Sequence, residues 1–270
     1  MLKLYHGTTS VCSAKVRIGL AERGLEWDGE ILDLGKSEQN ADWYLKLNPK
    51  GVVPTLIHGD LRVVESSVIL EYIDRLGDGP GLMPENDAAK ARAGMWLTEC
   101  IDIHSAINTM TVSTVMRNRI LASKTPEEIE ASIQRMTNPF NAMKRREIME
   151  HGVASAHVEV AFFTLHLMFR KMQADLENGA WLLGDDYSIA DASIIAYVDR
   201  LDRLGLAGLW ATTPRVGNWL QASRDRQSYK DAIEAYAGPA TPEREKNLSA
   251  GNWDMVKPLW EAFLERQESA

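Results

Sequence analysis

The hydrophobic pattern of the chain changes character once, near residue 84. Before it, apolar residues come in short alternating runs; after it, they recur only at helical spacing. Leu2 and Leu4 flank Lys3, with Tyr5 next, which is a short strand signal. After the small-residue turn Gly7-Thr8-Thr9-Ser10, Val16, Ile18, Leu20 and Ala21 recur among Lys15, Arg17, Glu22 and Arg23. That spacing predicts a helix stopped by Gly24. Trp27–Leu34 reads as a second strand, Lys36–Trp43 as a loop, and Trp43–Leu47 as a short helix ended by Asn48-Pro49. Gly51–Ile57 and Leu61–Val64 flank the turn His58-Gly59-Asp60 and predict a hairpin. Glu65-Ser66 opens a helix with Val68, Ile69, Tyr72, Ile73 and Leu76 on one face, and the Gly/Pro-rich stretch Gly77–Pro84 ends the region. The order is β-α-β-α-β-β-α: two parallel strands from a crossover unit, then a hairpin.

Beyond Pro84 the strand signals vanish. Ala89 to about Ala122 is one long helical pattern carrying Trp96, Cys100, Ile103, Ile107 and Met110. Pro126 opens a helix with acidic first-turn residues, and Asn138-Pro139 breaks it. The charged run Lys144–Glu150 reads as a solvated helix face. Ala154–Leu176 is amphipathic through Val158, Phe162, Leu165, Phe169, Met172 and Leu176, a core stripe. Trp181–Gly184 is a short apolar turn. Ser188-Ile-Ala-Asp191 is a capping-box-like start to a helix through Ile195 and Leu201. Pro214–Arg224 and Ser228–Tyr236 are further short helices, and Gly238–Gly251 is polar and loose. Trp253, Val256, Trp260, Phe263 and Leu264 form a last amphipathic helix that Pro258 bends or restarts. The expected fold class is α+β, a mixed first domain at 1–80 followed by an all-α domain at 86–270.

Composition narrows the function. The chain has 270 residues, 45% hydrophobic and 25% charged, which suits two soluble globular domains. A net charge of −8 argues against nucleic acid and anionic membranes as partners. No apolar run approaches the roughly 20 residues that span a bilayer. The N-terminus enters a strand at once, without a signal-peptide pattern. The two cysteines, Cys12 and Cys100, give neither a disulfide framework nor metal-ligand spacing. No metal is expected, and a reducing cytoplasm is the expected location.

Three features carry chemistry. Ser10, Cys12 and Ser13 sit at the start of the first helix, where unpaired N–H groups and the helix dipole stabilise an anion and a hydroxyl adds a hydrogen bond. Taken alone, Ser10 reads first as a plain N-cap. Val53-Pro54 enters a strand; a cis bond there would leave the N–H and C=O of Val53 to a ligand. Glu65-Ser66 opens another helix, where Ser66 and its N–H can take a carboxylate and Glu65 an ammonium.

The stretches TTSVCSAKVRI, NPKGVVPTLI and VVESSVILEYID, and later WLLGDDYSIADASI, resemble the glutathione transferase family over roughly residues 1–110 and 155–225. The resemblance implies a thioredoxin-like first domain that binds glutathione, a helical domain that holds a small hydrophobic electrophile, and a homodimer. Ser10 matches the catalytic serine of theta and zeta members, and Cys12 falls where omega-like members place a catalytic cysteine; Ser13 is a further candidate. Val53 looks like the backbone partner of the cysteinyl unit beside Pro54, and Glu65 and Ser66 look like the γ-glutamyl clamp. Gln39 falls where theta-like members contact the glycine carboxylate, with Lys50 a second candidate. Val11 and Ala14 depart from the zeta pattern. The insertion from about Arg117 to Ser155, with NADWYLKLNPKG and the long tail, looks like the bacterial β-etherase branch, which cleaves aryl ethers with glutathione. Two alternatives stand beside a transferase: a Cys12-dependent glutathione lyase or thiol transferase, and a non-catalytic binder of apolar ligands. His104, Asn108, Met110 and Trp253 are candidates for the hydrophobic pocket.

Overall fold

The computed structural model describes residues 1–237 and 249–269. Strands β1 (Leu2–His6), β2 (Trp27–Ile31), β3 (Thr55–His58) and β4 (Leu61–Val64) form one sheet in the order β2-β1-β3-β4. β1 and β2 are parallel; β1–β3 and β3–β4 are antiparallel, so the crossover unit and the hairpin are both present. Two strands are shorter than the sequence suggests. β2 stops at Ile31 and is mostly exposed; β3 starts only at Thr55, because Pro54 has no N–H to give a ladder. The Val53–Pro54 peptide is cis, as expected.

Helices α1 (Val11–Glu22), α2 (Asp42–Leu47) and α3 (Ser66–Asp74) complete this region. Gly19 lets α1 and α3 approach closely: a Cβ there would lie 2.3 Å from Leu70 Cδ1. The buried face of α3 is Ile69, Leu70 and Ile73, not the predicted set. Val68 is 52% exposed, because it stands about 200° around the helix from Leu70. Tyr72 is half-buried, its hydroxyl 2.8 Å from His58 Nδ1.

The rest is helical: α4 (Asp87–Thr111), α5 (Arg117–Ser123), α6 (Pro126–Gln134), α7 (Pro139–His151), α8 (Ala156–Asp175), α9 (Ile189–Arg203), α10 (Pro214–Arg224), α11 (Gln227–Ala232) and α12 (Asn252–Glu268). The predicted single helix through Ala122 is interrupted by a π-turn at Val112–Met116. Here the hydroxyls of Ser113 and Thr114 both donate to the Met110 carbonyl, at 3.4 and 2.6 Å, competing with the helical ladder. α6 carries a full capping box between Thr125 and Glu128. α12 runs through Pro258 without a break. All but the last three residues of the polar stretch Gly238–Gly251 lie outside the described residues.

The chain folds as two compact units. The first contains Met1–Ile101 and Met172–Val198, with α10 and α11. Its hub is Asp191, wholly buried near the start of α9, whose carboxylate accepts from Leu182 N, Ser188 N, Ser188 Oγ and Trp219 Nε1 at 2.7–3.0 Å. Of the capping box suggested by Ser188 and Asp191, the return bond from Ser188 N to the Asp191 carboxylate is present, and Ser188 Oγ donates to the same carboxylate. The second unit contains Asp102–Lys171 and Asp199–Pro214, with α12. Its core includes Trp260 stacked on Phe263 at 5.4 Å, with Phe162 edge-on to Trp260. The charged run on α7 is solvated only in part: Arg146 and Glu150 are exposed. Lys144 is buried and its Nζ donates to the C=O and Oγ of Ser105, while Ile148 and Met149 beside it are core. Among the described residues no single helix is long and apolar enough to cross a membrane; the pair Pro139–Ala154 and Ala156–Asp175 reaches that length only across a 79° bend.

Candidate active site

The sheet register gathers the candidate residues. Tyr5 on β1 pairs with Thr55 on β3, and Thr55 pairs with Val64 on β4. The β1–α1 loop with Ser10, the Val53–Pro54 loop and the Glu65-Ser66 turn therefore leave the sheet at one end. Three segments separated by up to 56 residues become neighbours because the antiparallel strands align their ends.

The β1–α1 loop presents Ser10 and buries Ser13. Ser10 is the N-cap of α1, and its Oγ accepts from Ser13 N at 3.2 Å. That bond uses a lone pair, so the hydroxyl proton remains to be donated. Ser13 is wholly buried and its Oγ accepts from Gly7 N at 3.2 Å. Ser13, a reserve candidate for activating the thiol, is turned inward and braces the loop. Cys12 is half-buried and in no disulfide. The loop is held from beneath by Arg17, whose guanidinium donates to Gly7 O and Thr8 O at 3.2 Å, to His6 Nδ1 at 3.2 Å and to Ala232 O at 2.8 Å. Tyr236 lies 4.0 Å from that cation. Burial lowers the Arg17 pKa to about 10; burial, then the charge of Arg17, lowers that of His6 to about 4. His6 is thus a neutral acceptor under a cation.

The proline loop is pinned by Tyr44 of α2 and by Asn48 just beyond that helix. Val52 O accepts from Tyr44 Oη at 2.7 Å and Asn48 Nδ2 at 2.9 Å, and Tyr44 Oη lies 2.9 Å from Thr55 Oγ1. Among the described residues no hydrogen bond engages the N–H or C=O of Val53. Gly51, at φ +62°, lies against the Gln39–Asn40 segment: a Cβ there would stand 2.6 Å from Asn40 Oδ1. Gln39 Oε1 is buried without a partner among the described residues, which leaves its amide an uncommitted polar group beside this loop.

At the third segment, Glu65 adopts φ 70°, ψ 115°, an unfavourable geometry for a residue with a Cβ. Its side chain does not cap α3; it turns to Lys50, whose Nζ is 2.5 Å from Glu65 Oε1. Both are exposed, so the pair is labile in water. Ser66 starts a nine-residue helix whose first N–H groups are an anion site. Gln39, Lys50, Val53, Pro54, Glu65 and Ser66 thus line one end of the sheet with Ser10.

Residues 1–75 match the family described as "Glutathione S-transferase, N-terminal domain". The crystal structure of the β-etherase LigF from Sphingobium sp. strain SYK-6 superposes with a TM-score of 0.76 at 27% identity, covering 87% of this chain and 99% of that one. The first domain matches the glutathione S-transferase N-terminal family, and the chain is similar to glutathione transferases over most of its length. Protein LigF of Sphingobium sp. is 29% identical over 241 residues, covering 86% of this chain and 93% of that protein. The tetrachloro-p-hydroquinone reductive dehalogenase of Sphingobium chlorophenolicum is 26% identical over 243 residues, covering 86% and 95%. Glutathione is the co-substrate of the family that the first domain matches, and that domain is thioredoxin-like.

One residue near the candidate site escapes the sequence reading. Tyr197 on α9 places Oη 3.8 Å from Cys12 Sγ, and no local motif announces a residue 185 positions away. The pocket candidates fare unevenly. Met110 is wholly buried and cannot touch a ligand as it stands; Asn108 is exposed and His104 half-buried on the same helix. Trp253 is half-buried, its indole packed where a Cβ on Gly208 would lie 2.1 Å away.

Proposed function

We propose that this chain is a glutathione transferase that binds glutathione at the sheet end and directs its thiolate at a small hydrophobic, aromatic electrophile, cleaving β-aryl ethers. The carrying observation is the shared register that brings Ser10, Val53 and Glu65-Ser66 to one edge. Residues 1–80 would hold glutathione and residues 86–270 the electrophile. Ser66 and the α3 N-terminus take the γ-glutamyl carboxylate, and Glu65 its ammonium, exchanging Lys50 for the ligand's cation. Val53 pairs with the cysteinyl backbone; Gln39 and Lys50 serve the glycine carboxylate. Ser10 Oγ–H donates to the thiolate. A thiol titrates near 8.5. Lowering it by two units takes about 2.7 kcal/mol, within reach of one hydrogen bond and a helix terminus together. The thiolate then forms a C–S bond as the C–O bond breaks, and the electron pair leaves on the aryloxide.

The LigF relatives support the ether branch, and aromatic catabolism or detoxification is the corresponding role. Exposed Val68 on α3 and Met95 and Ile101 on α4 support a homodimer; Ser67 Oγ ties these two helices by donating to Leu97 O at 3.0 Å. Thiols outside disulfides suit the cytoplasm. The second reading, a Cys12-dependent glutathione lyase or thiol transferase, draws on the position of Cys12 beside Tyr197 and on the dehalogenase relative.

The experiment is incubation with glutathione and a β-aryl ether, measuring released phenol. Ser10→Ala should lower turnover about 10- to 1000-fold and raise the pH at which bound thiolate absorbance appears. Cys12→Ala as the inactive variant, with a glutathione adduct on Cys12 in the wild type, would replace this reading by the second. Turnover of halides without phenol release would remove the ether branch.

A further inference from the structure

Two carbonyls that precede Ser10 in the β1–α1 loop end on one guanidinium. Arg17 is 2% exposed; its Nη1 donates to Gly7 O and its Nη2 to Thr8 O, each at 3.2 Å. The Gly7 carbonyl also accepts from Ser10 N at 3.3 Å, so Arg17 and Ser10 share its two lone pairs. The other side of the guanidinium is seated elsewhere: Nε donates to Ala232 O at 2.8 Å, and Nη1 meets His6 Nδ1 at 3.2 Å. The Tyr236 ring covers the cation at 4.0 Å and stands edge-on to His6 at 5.4 Å. His6 and Tyr236 are the titratable groups that face Arg17; among the described residues no carboxylate pairs with it. Burying a guanidinium without a counter-ion is costly, and only its hydrogen bonds and the ring face offset that cost. A leucine could fill the same space but would fix neither carbonyl. What the cation adds is the placement of Gly7 and Thr8, the turn that delivers Ser10 to the helix start.

We infer that Arg17 is a positioning residue for Ser10, and that Ala232 and Tyr236, more than 220 positions along the chain, complete its seat. The guanidinium holds the Gly7 carbonyl, that carbonyl holds the Ser10 amide, and the Ser10 hydroxyl then meets the glutathione thiolate in a fixed direction. The inference rests on the reading of Ser10 as the donor to the thiolate. A preorganised donor stabilises the anion without reorganising, so a loosened Ser10 gives up part of the lowering of the thiol pKa. Lysine is no substitute. It keeps the charge but offers its donors from one atom, which cannot hold Gly7, Thr8 and Ala232 together.

The test titrates the thiolate absorbance of bound glutathione in wild type, Ser10→Ala, Arg17→Lys and the double variant. Calorimetry with S-methylglutathione, which has no thiol proton, measures the rest of the site separately. Ser10→Ala should raise the thiolate midpoint by about one unit and Arg17→Lys by about half to one unit. The double variant should match Ser10→Ala to within about 0.2 unit, because Arg17 acts through Ser10. S-methylglutathione should bind Arg17→Lys within about twofold of wild type, which a general loosening of the fold would not allow. Tyr236→Leu leaves every hydrogen bond of Arg17 in place and removes the ring; its midpoint should rise by about a quarter to half a unit. Where the Lys variant does not fold, Tyr236→Leu decides by the same criteria. An unmoved midpoint in Arg17→Lys beside a raised one in Ser10→Ala overturns this inference alone. So do additive shifts in the double variant, and so does weakened S-methylglutathione binding in Arg17→Lys. An unmoved midpoint in Ser10→Ala, or no binding of S-methylglutathione to wild type, overturns the reading of the site and this inference with it.

Discussion

Acid should loosen the loop that carries Ser10 ahead of ordinary acid denaturation, and His6 is the reason. His6 is 1% exposed, and its Nδ1 receives the Arg17 guanidinium at 3.2 Å. Only a neutral ring can accept that bond; a protonated ring would set a second buried cation against the first. Burial, with the Arg17 charge second, lowers the His6 pKa from 6.5 to about 4. The folded value lies below the unfolded one. The contribution to stability is therefore complete above pH 6.5 and is lost as pH falls from 6.5 toward 4. A gap of about 2.5 units corresponds to about 3 kcal/mol, of which about 2.5 kcal/mol is gone by pH 4.5. That is a large share of a total stability of about 5–15 kcal/mol. The assay is urea unfolding of wild type and His6→Asn from pH 7.5 to 4.5. The Asn Oδ1 can still accept from Arg17 but does not titrate, and the carboxylates contribute alike to both proteins. Wild type should lose about 2–3 kcal/mol more than the variant over this range. Parallel stability curves would refute the argument, whatever constant offset the lost ring packing introduces.

Two further outcomes test the hub and the clamp. Asp191→Ala strands four donors, Leu182 N, Ser188 N, Ser188 Oγ and Trp219 Nε1, in the first unit. It should cost about 3–5 kcal/mol and lower the calorimetric midpoint by roughly 10 °C, and a fall below about 2 °C would mean that these bonds are replaceable. Glu65→Ala and Ser66→Ala should each weaken glutathione by about 1–3 kcal/mol in titration calorimetry. Unchanged affinity in both would place glutathione elsewhere.

The elements of the first 76 residues can be read from the sequence because residues of narrow conformational role bound them: Gly24 after α1, Asn48-Pro49 after α2, Pro54 before β3, Gly59 in the hairpin. Errors enter where periodicity counts residue types and not contacts. Val68 is apolar and therefore assigned inward, but Leu70 sets the face of α3 and Val68 points out. Lys144 is charged and therefore assigned outward, but its stem is buried and its ammonium finds Ser105 on a helix 39 residues back. The π-turn after Thr111 depends on which carbonyl a hydroxyl takes, which no spacing rule specifies.

The candidate site divides the same way. Ser10, Val53-Pro54 and Glu65-Ser66 are legible because each is a local device, a cap, an X-Pro bond or a helix start, and the strand order alone brings them together. Tyr197 is not legible, because its meaning lies only in what it meets across the fold. The two serines of the first helix are hard to separate in sequence for a related reason. Hydroxyls three residues apart at a helix start look equivalent in sequence, yet one caps the helix and stays half-exposed while the other is drawn inward to satisfy Gly7 N. The competing readings of Ser10, plain cap or catalytic donor, then prove not to compete. Capping consumes a lone pair of Oγ, whereas activating a thiol consumes the proton on the same oxygen. The cap fixes the oxygen in place, and a fixed hydroxyl is the kind of donor that loses little on meeting a thiolate. The structural role of Ser10 is therefore a condition of its proposed chemical one.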